Sequence, residues 1–162
     1  MKKILLILVL AVICSSVVRA NEIDDAAAAY DRGNYAQALV LFRVSATEEG
    51  SFAQAIGQYF IGRMFNNGEG VTQDYKEAAK WYRKAADQGD ADAQNNLGMM
   101  YDNGQGILQD YILAHMWYNL SASNGGKNKN RDSMAKEMTP DQIAKAQEMV
   151  RACKKKKYKN CN

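Results

Sequence analysis

Residues 66–89 read NNGEGVTQDYKEAAKWYRKAADQG, and residues 102–125 read DNGQGILQDYILAHMWYNLSASNG. Offset by 36 positions, the two stretches share eleven identities: Asn67/Asn103, Gly68/Gly104, Gly70/Gly106, Gln73/Gln109, Asp74/Asp110, Tyr75/Tyr111, Ala78/Ala114, Trp81/Trp117, Tyr82/Tyr118, Ala86/Ala122 and Gly89/Gly125. A period of this length marks a stacked repeat. Each copy is one supersecondary unit that cannot bury its apolar face alone and must stack on its neighbours. The duplication therefore restricts the chain to a quasi-one-dimensional array with atypical end units.

The repeating unit is helical. The chain has one proline, and apolar residues recur at three- and four-residue spacing. Residues 21–50 read as a degenerate N-terminal helix pair around Gly33-Asn34, with Tyr35, Ala38, Leu39, Leu41 and Phe42 striping the second helix. In the first full unit, residues 51–88, Gly57, Ile61, Met64 and Phe65 share a face of the leading helix with Gly62 beside them. Asp74 is placed to cap the trailing helix, with Glu77 at the reciprocal capping-box position. Ala78, Trp81, Tyr82, Ala85 and Ala86 are expected inside, and Lys76, Glu77, Lys80, Arg83 and Lys84 in water. The second unit, residues 89–125, repeats the plan with Ala93, Leu97, Gly98, Met100 and Tyr101, then Asp110 as cap and Ala114, Trp117, Tyr118 and Ala122 inside. The period breaks after Gly125. Residues 126–152 read as capping helices, one over residues 127–138 and one opened by Thr139-Pro140-Asp141-Gln142 and striped by Ile143, Ala146, Met149 and Val150. Residues 153–162 read as a basic tail in which Lys154–Lys157 frays.

The amino end has another character. Met1-Lys2-Lys3, an apolar run over Ile4–Ile13 and Val18-Arg19-Ala20 have the layout of a secretory signal peptide, residues 1–20, cleaved near Ala20. A membrane span would need about 20 apolar residues. Lipid attachment at Cys14 is the rival reading, and the bulky Ile13 before it speaks against it. The expected location is therefore exported, periplasmic or secreted. Cleavage removes Lys2, Lys3 and Arg19, which carry the whole formal charge of +3. The remainder is neutral, so the basic balance is no argument for nucleic acid. Within it, Arg151 onward holds six basic residues and no acid, which leaves an acidic body with a basic end. Cleavage also leaves Cys153 and Cys161 as an even pair in an exported chain, a candidate disulfide. Closing so short a loop is worth about 2.5 kcal/mol in the chain-entropy model. Two free thiols or an intermolecular bridge are the alternatives.

Leu97-Gly98, Tyr101, Gly104-Gln105-Gly106, Asp110-Tyr111, Ala114 and Trp117-Tyr118 resemble the Sel-1-like repeat, a relative of the tetratricopeptide repeat. Ile61-Gly62, Phe65, Gly68-Glu69-Gly70, Asp74-Tyr75, Ala78 and Trp81-Tyr82 match the same pattern, and Met138–Ala144 is similar to the closing helix of short bacterial members. The resemblance covers residues 53–150 and implies an all-α fold, an α/α superhelical solenoid of about eight antiparallel helices. It further implies a non-enzymatic adaptor that binds a protein or peptide, with no cofactor and no catalytic residues to carry over.

If leading helices line the inner face in the family manner, Tyr59, Arg63 and Asn66, with their counterparts Asn95, Met99 and Asp102, are the candidate protein-binding surface. Exposed Tyr, Arg and Met are enriched at interfaces. Lys154, Lys155, Lys156, Lys157 and Lys159 are candidate anionic contacts, and an anionic polymer or membrane surface is the alternative partner. Ser133-Met134-Ala135-Lys136 matches the S-x-x-K nucleophile motif of β-lactam-reactive enzymes. Neither S-D-N nor K-T-G accompanies it, and the β-lactam-linked relatives carry a cysteine pair in each repeat that this chain lacks. His115, the only histidine, is expected to be a half-exposed helix residue without a metal or catalytic partner. The Gly-x-Gly loops follow helices and are turns, not phosphate cradles.

Overall fold

A computed structural model describes residues 22–47, 52–126, 129–159 and 161. Residues 1–20, expected to be a signal peptide, and Asn160 and Asn162 of the basic end lie outside them. The described residues form eight α-helices and no strand: α1 (22–31), α2 (Tyr35–Ala46), α3 (Phe52–Asn67), α4 (Tyr75–Ala86), α5 (Ala91–Asn103), α6 (Tyr111–Ser123), α7 (Lys129–Ala135) and α8 (Pro140–Lys155). From α2 to α6 each helix packs on the next, and α6 then carries both α7 and α8. This is the all-α repeat solenoid that the duplication requires.

The two internal repeats are built by the same contacts. A Cβ on Gly62 would lie 2.8 Å from the Tyr82 ring, and one on Gly98 would lie 2.7 Å from the Tyr118 ring. Each glycine thus lets its own repeat's tyrosine lie flat on the leading helix. The second glycine of each loop serves the neighbouring repeat. Gly106, at φ +71°, brings its loop so close to the start of α4 that a Cβ would meet Tyr75 backbone at 2.4 Å. Gly70 approaches Tyr35 on α2 in the same way. The turns are closed by Gln73 and Gln109, whose amides donate to the Asn66 carbonyl at 2.7 Å and the Asp102 carbonyl at 2.6 Å.

Helix ends follow their sequence signals. Asp74 accepts from the Lys76 and Glu77 amides, and Asp110 accepts from Leu113. Thr139 and Gln142 form the reciprocal capping box of α8. The box expected from Glu77 is replaced by an ion pair with Lys80 at 2.8 Å, since one turn along the helix a cation competes for the same carboxylate.

The buried side chains form one cluster over α1–α3, centred on Phe42, Ile61 and Met64, and a larger one over α4–α6 and α8, centred on Tyr82, Leu97, Met100, Trp117 and Leu120. A small third cluster of Ala114, Tyr118, Met134 and Met138 seats α7. That helix ends at Ala135, short of the Met138 expected for the 127–138 span, while residues 127 and 128 lie outside the described residues.

The carboxyl end differs most from expectation. Lys154 and Lys155 belong to the last turn of α8 and do not fray. Lys157 and Tyr158 then take left-handed backbone, φ 52° and 65°, which costs roughly 1–2 kcal/mol per non-glycine residue. The turn is held because the Tyr158 hydroxyl donates to Asn124 at 2.9 Å, its ring lies on Gly89, and Cys161 is paired with Cys153 at a Cα–Cα distance of 5.1 Å. Both cysteines are buried in the larger core.

Candidate protein-binding surface

Tyr59, Arg63 and Asn66 lie along α3 at four- and three-residue steps, and Asn95, Met99 and Asp102 lie equivalently along α5. Both helices pack on α4. Tyr59 is half-buried, 5.3 Å from the Phe60 ring and 6.0 Å from Tyr82. Burial raises its hydroxyl pKa, and the carboxylates of Asp92 and Asp90 at the start of α5 contribute further. Tyr59 therefore sits at the seam between α3 and α5. The Arg63 guanidinium lies 4.9 Å above the ring of Tyr30, whose hydroxyl donates to Glu69. Packing on the aromatic group of α1–α3 thus fixes its position. Asn66 is tied up locally: its amide donates to Asn67 at 2.9 Å.

The second triple meets α7. Asn130 donates to the Asn95 side chain at 3.2 Å, and the Asn95 amide reaches the Met99 sulfur at 3.6 Å. Met99 remains 40% exposed. Asp102 accepts from the Tyr118 hydroxyl at 3.3 Å, and burial raises its carboxyl pKa against the opposing pull of that bond. Met99, Asp102, Ser133 and Glu137 line a cleft of about 200 Å³ between α5 and α7. The six residues thus divide into an aromatic–cationic patch on α3 and a cleft wall on α5.

Ser133 opens onto that cleft, while Lys136 lies past the end of α7, at the surface. Three other positions differ from expectation. His115 is only 3% exposed, with the side chain of Asn119 donating to its backbone carbonyl at 2.9 Å. Burial lowers its pKa, with the positive charge of Arg131 adding to the effect. Arg83 is half-buried and held in place: it donates to the Cys161 carbonyl at 3.0 Å and the Tyr101 hydroxyl at 2.7 Å, and it lies 4.7 Å above the Trp117 ring. Trp81 is half-buried, with the Lys84 ammonium 3.9 Å from its ring.

Sequence reasoning missed Gln58 and Gln94. Both are buried, and their amides donate to the last carbonyl of the preceding trailing helix, Ala46 at 3.2 Å and Ala86 at 3.1 Å. The signal was present, since the two glutamines are also 36 residues apart, but it lay outside the stretch with dense identity. Among the described residues no cluster of three His, Cys, Asp or Glu could hold a metal, and no helix is long and apolar enough to cross a membrane.

The Sel1 repeat family model matches residues 55–90 and 91–126. No curated protein sequence matches significantly. Among solved structures, a protective antigen of uropathogenic Escherichia coli strains, described as displaying an SLR fold, is similar with a TM-score of 0.77 and 28% identity. That match covers 88% of this chain and 31% of the antigen. A Sel1 repeat protein from Oxalobacter formigenes is similar with a TM-score of 0.59 and 32% identity, covering 69% of this chain and 44% of that one. The chain thus spans less than half the length of either structure. Sel1-repeat proteins are typically non-enzymatic scaffolds, and their fold commonly mediates protein–protein interaction. Residues 55–126 are thus two Sel1 repeats in register, each closed within itself by its own glycine–tyrosine contact, Gly62–Tyr82 in the first and Gly98–Tyr118 in the second.

Proposed function

We propose that the protein is an exported, non-catalytic adaptor that binds a protein or peptide through the leading-helix face of α3 and α5. The observation that carries this reading is the placement of Arg63 and Met99. Arg63 is half-buried over Tyr30 and Met99 is 40% exposed, so both offer interface-prone side chains from rigid helices instead of loops. Anchors already held in place lose less conformational freedom on binding. Tyr59, half-buried one turn before Arg63 and near the start of α5, adds an aromatic side chain to this face. Export is supported by the amino-terminal layout and by the paired cysteines, which persist in oxidising compartments. One similar structure is a protective antigen, which accords with a location outside the cytoplasm.

Cross-linking with mass spectrometry on the native cell envelope tests the adaptor. Arg63→Ala combined with Met99→Ala is expected to abolish partner capture while helix content is retained, and unchanged capture sinks the surface. Intact mass of the protein from the exported fraction tests the rest. A chain beginning at Asn21 and lighter by the two hydrogens of one disulfide is expected.

A further inference from the structure

The six cations at the carboxyl end do not form one solvated run. Gln147, Arg151 and Lys154 fall at four- and three-residue steps along α8 and so share one stripe of it. The stripe faces Arg131 of α7 and Asn119 of α6 across a cleft of about 360 Å³, with Val150 contributing an apolar wall. Among the described residues no carboxylate lines this cleft. Arg131 is paired with its neighbour Asp132 at 2.7 Å, and Arg151 and Lys154 form no ion pair among the described residues. A basic residue in the last turn of a helix is often accounted for by the helix dipole. That covers Lys154 and Lys155, but not Arg131, which projects into the same space from another helix.

We infer that the cleft between α6, α7 and α8 is a binding site for an acidic peptide segment of a partner protein. Three features favour this ligand. The cations surround a concavity, whereas a membrane surface is met by a flat, laterally spread basic face. The Gln147 amide and the side-chain carbonyl of Asn119, whose own NH2 is held by His115, stand among the cations and can pair with peptide backbone. The apolar wall suits a side chain between carboxylates, and the volume is at the lower end of small-ligand pockets. Residues 21–150 carry 12 basic and 18 acidic residues, so an acidic segment is repelled by the body and steered to this end. The inference rests on the protein-binding reading only in taking the ligand to be a peptide.

The test is fluorescence anisotropy on the full exported chain, with a labelled pentapeptide in which one leucine is flanked on each side by two glutamates. Arg151→Ala with Lys154→Ala is expected to weaken binding about tenfold or more, because both charges that line the cleft unpaired are removed. Arg131→Gln, on a different helix, is expected to weaken it as well. Lys156→Ala with Lys159→Ala removes the same charge outside the cleft and is expected to change affinity less than about threefold. Equal loss in both double variants overturns the site in favour of general basicity. Equal binding of the peptide with glutamines in place of glutamates overturns the acidic requirement. Tight binding of phosphatidylglycerol vesicles or inorganic phosphate that the peptide cannot displace overturns the peptide assignment. If the peptide fails while partner capture through Arg63 and Met99 persists, this inference falls and the adaptor reading stands.

Discussion

Trp81 and Trp117 occupy the same register of consecutive repeats, yet one is half-buried and the other is completely covered. Each is followed by a tyrosine lying on a glycine of its own leading helix, so the local frame is the same. The difference comes from what reaches each ring. Trp81 faces the degenerate first helix pair and is covered in part by the flexible stem of Lys84. Trp117 is roofed by Arg83, which is itself held by the Cys161 carbonyl and Tyr101. The carboxyl-terminal turn thus closes the second repeat in a way that nothing closes the first. One consequence is visible inside the core, where Trp117 Nε1 has no acceptor among the described residues. A position in a repeat acquires its environment from the unit next to it, and the last unit here is sealed by a non-repeating segment.

The comparison breaks most decisively at the rings themselves. Trp117→Ala is expected to cost about 3–5 kcal/mol in urea unfolding, and Trp81→Ala roughly half of that, in proportion to the apolar surface each removes from the core. Equal costs would mean that the carboxyl-terminal roof contributes nothing. The loop glycines form the control pair, because both repeats use them alike. Gly106→Ala and Gly70→Ala are each expected to cost about 2–4 kcal/mol, since a Cβ meets the preceding repeat and φ is positive at both. Gly104→Ala, with only ordinary contacts to Gln109, should cost about 1–2 kcal/mol by the same unfolding measurement.

Cys153→Ser removes the covalent tie of the roof. The expected loss is about 2.5 kcal/mol. In a Trp81→Phe background, acrylamide quenching of Trp117 should rise with it. A variant that loses stability without added quenching would show that Cys161 stays in place unaided. Arg83→Met keeps the stem but deletes the charge and its bonds to Cys161 and Tyr101, and should cost about 1–2 kcal/mol.

The smallest effect concerns pH. The folded state lowers the pKa of His115 by burial, so below the ordinary value of 6.5 the unfolded chain binds the proton first. Stability from this site is complete above that value and declines as pH falls towards the lowered folded pKa. His115→Gln should flatten the urea midpoint across that window. Asp90 and Asp102 have the opposite sign: burial raises both, so the penalty for their ionised forms is relieved as pH falls through the raised values. A midpoint that rises as pH falls below 6.5 in the parent protein would mean that the buried aspartates, Asp87 included, outweigh the histidine.

The eleven spaced identities were sufficient to set the period, the helix pairs, the glycine turns and the aspartate caps, because each of these is local or repeats in phase. Tyr75 and Tyr111 show where such reasoning ends. They are identical in sequence position, but the loop of Gly106 lies on Tyr75, whereas no third Gly-x-Gly loop follows to cover Tyr111, which is 47% exposed. The burial of His115 was not legible: it lies within the electrostatic reach of Arg131 and Asp132 on α7, a helix that has no counterpart in the repeat. The candidate surface was legible as a set of positions, but the attachment of Arg63 to Tyr30 and the cleft between α5 and α7 were not.

Sequence alone determined the repeat and the composition of its two ends: an apolar run at the amino end and a cluster of cations beside two cysteines. The tertiary structure decided that those cations are divided between a helix stripe and a pinned turn. It also decided that Arg83 is held over Trp117 at the edge of the core. Periodicity encodes contacts between equivalent units, whereas the fate of a charged side chain depends on whichever non-repeating segment folds back over it.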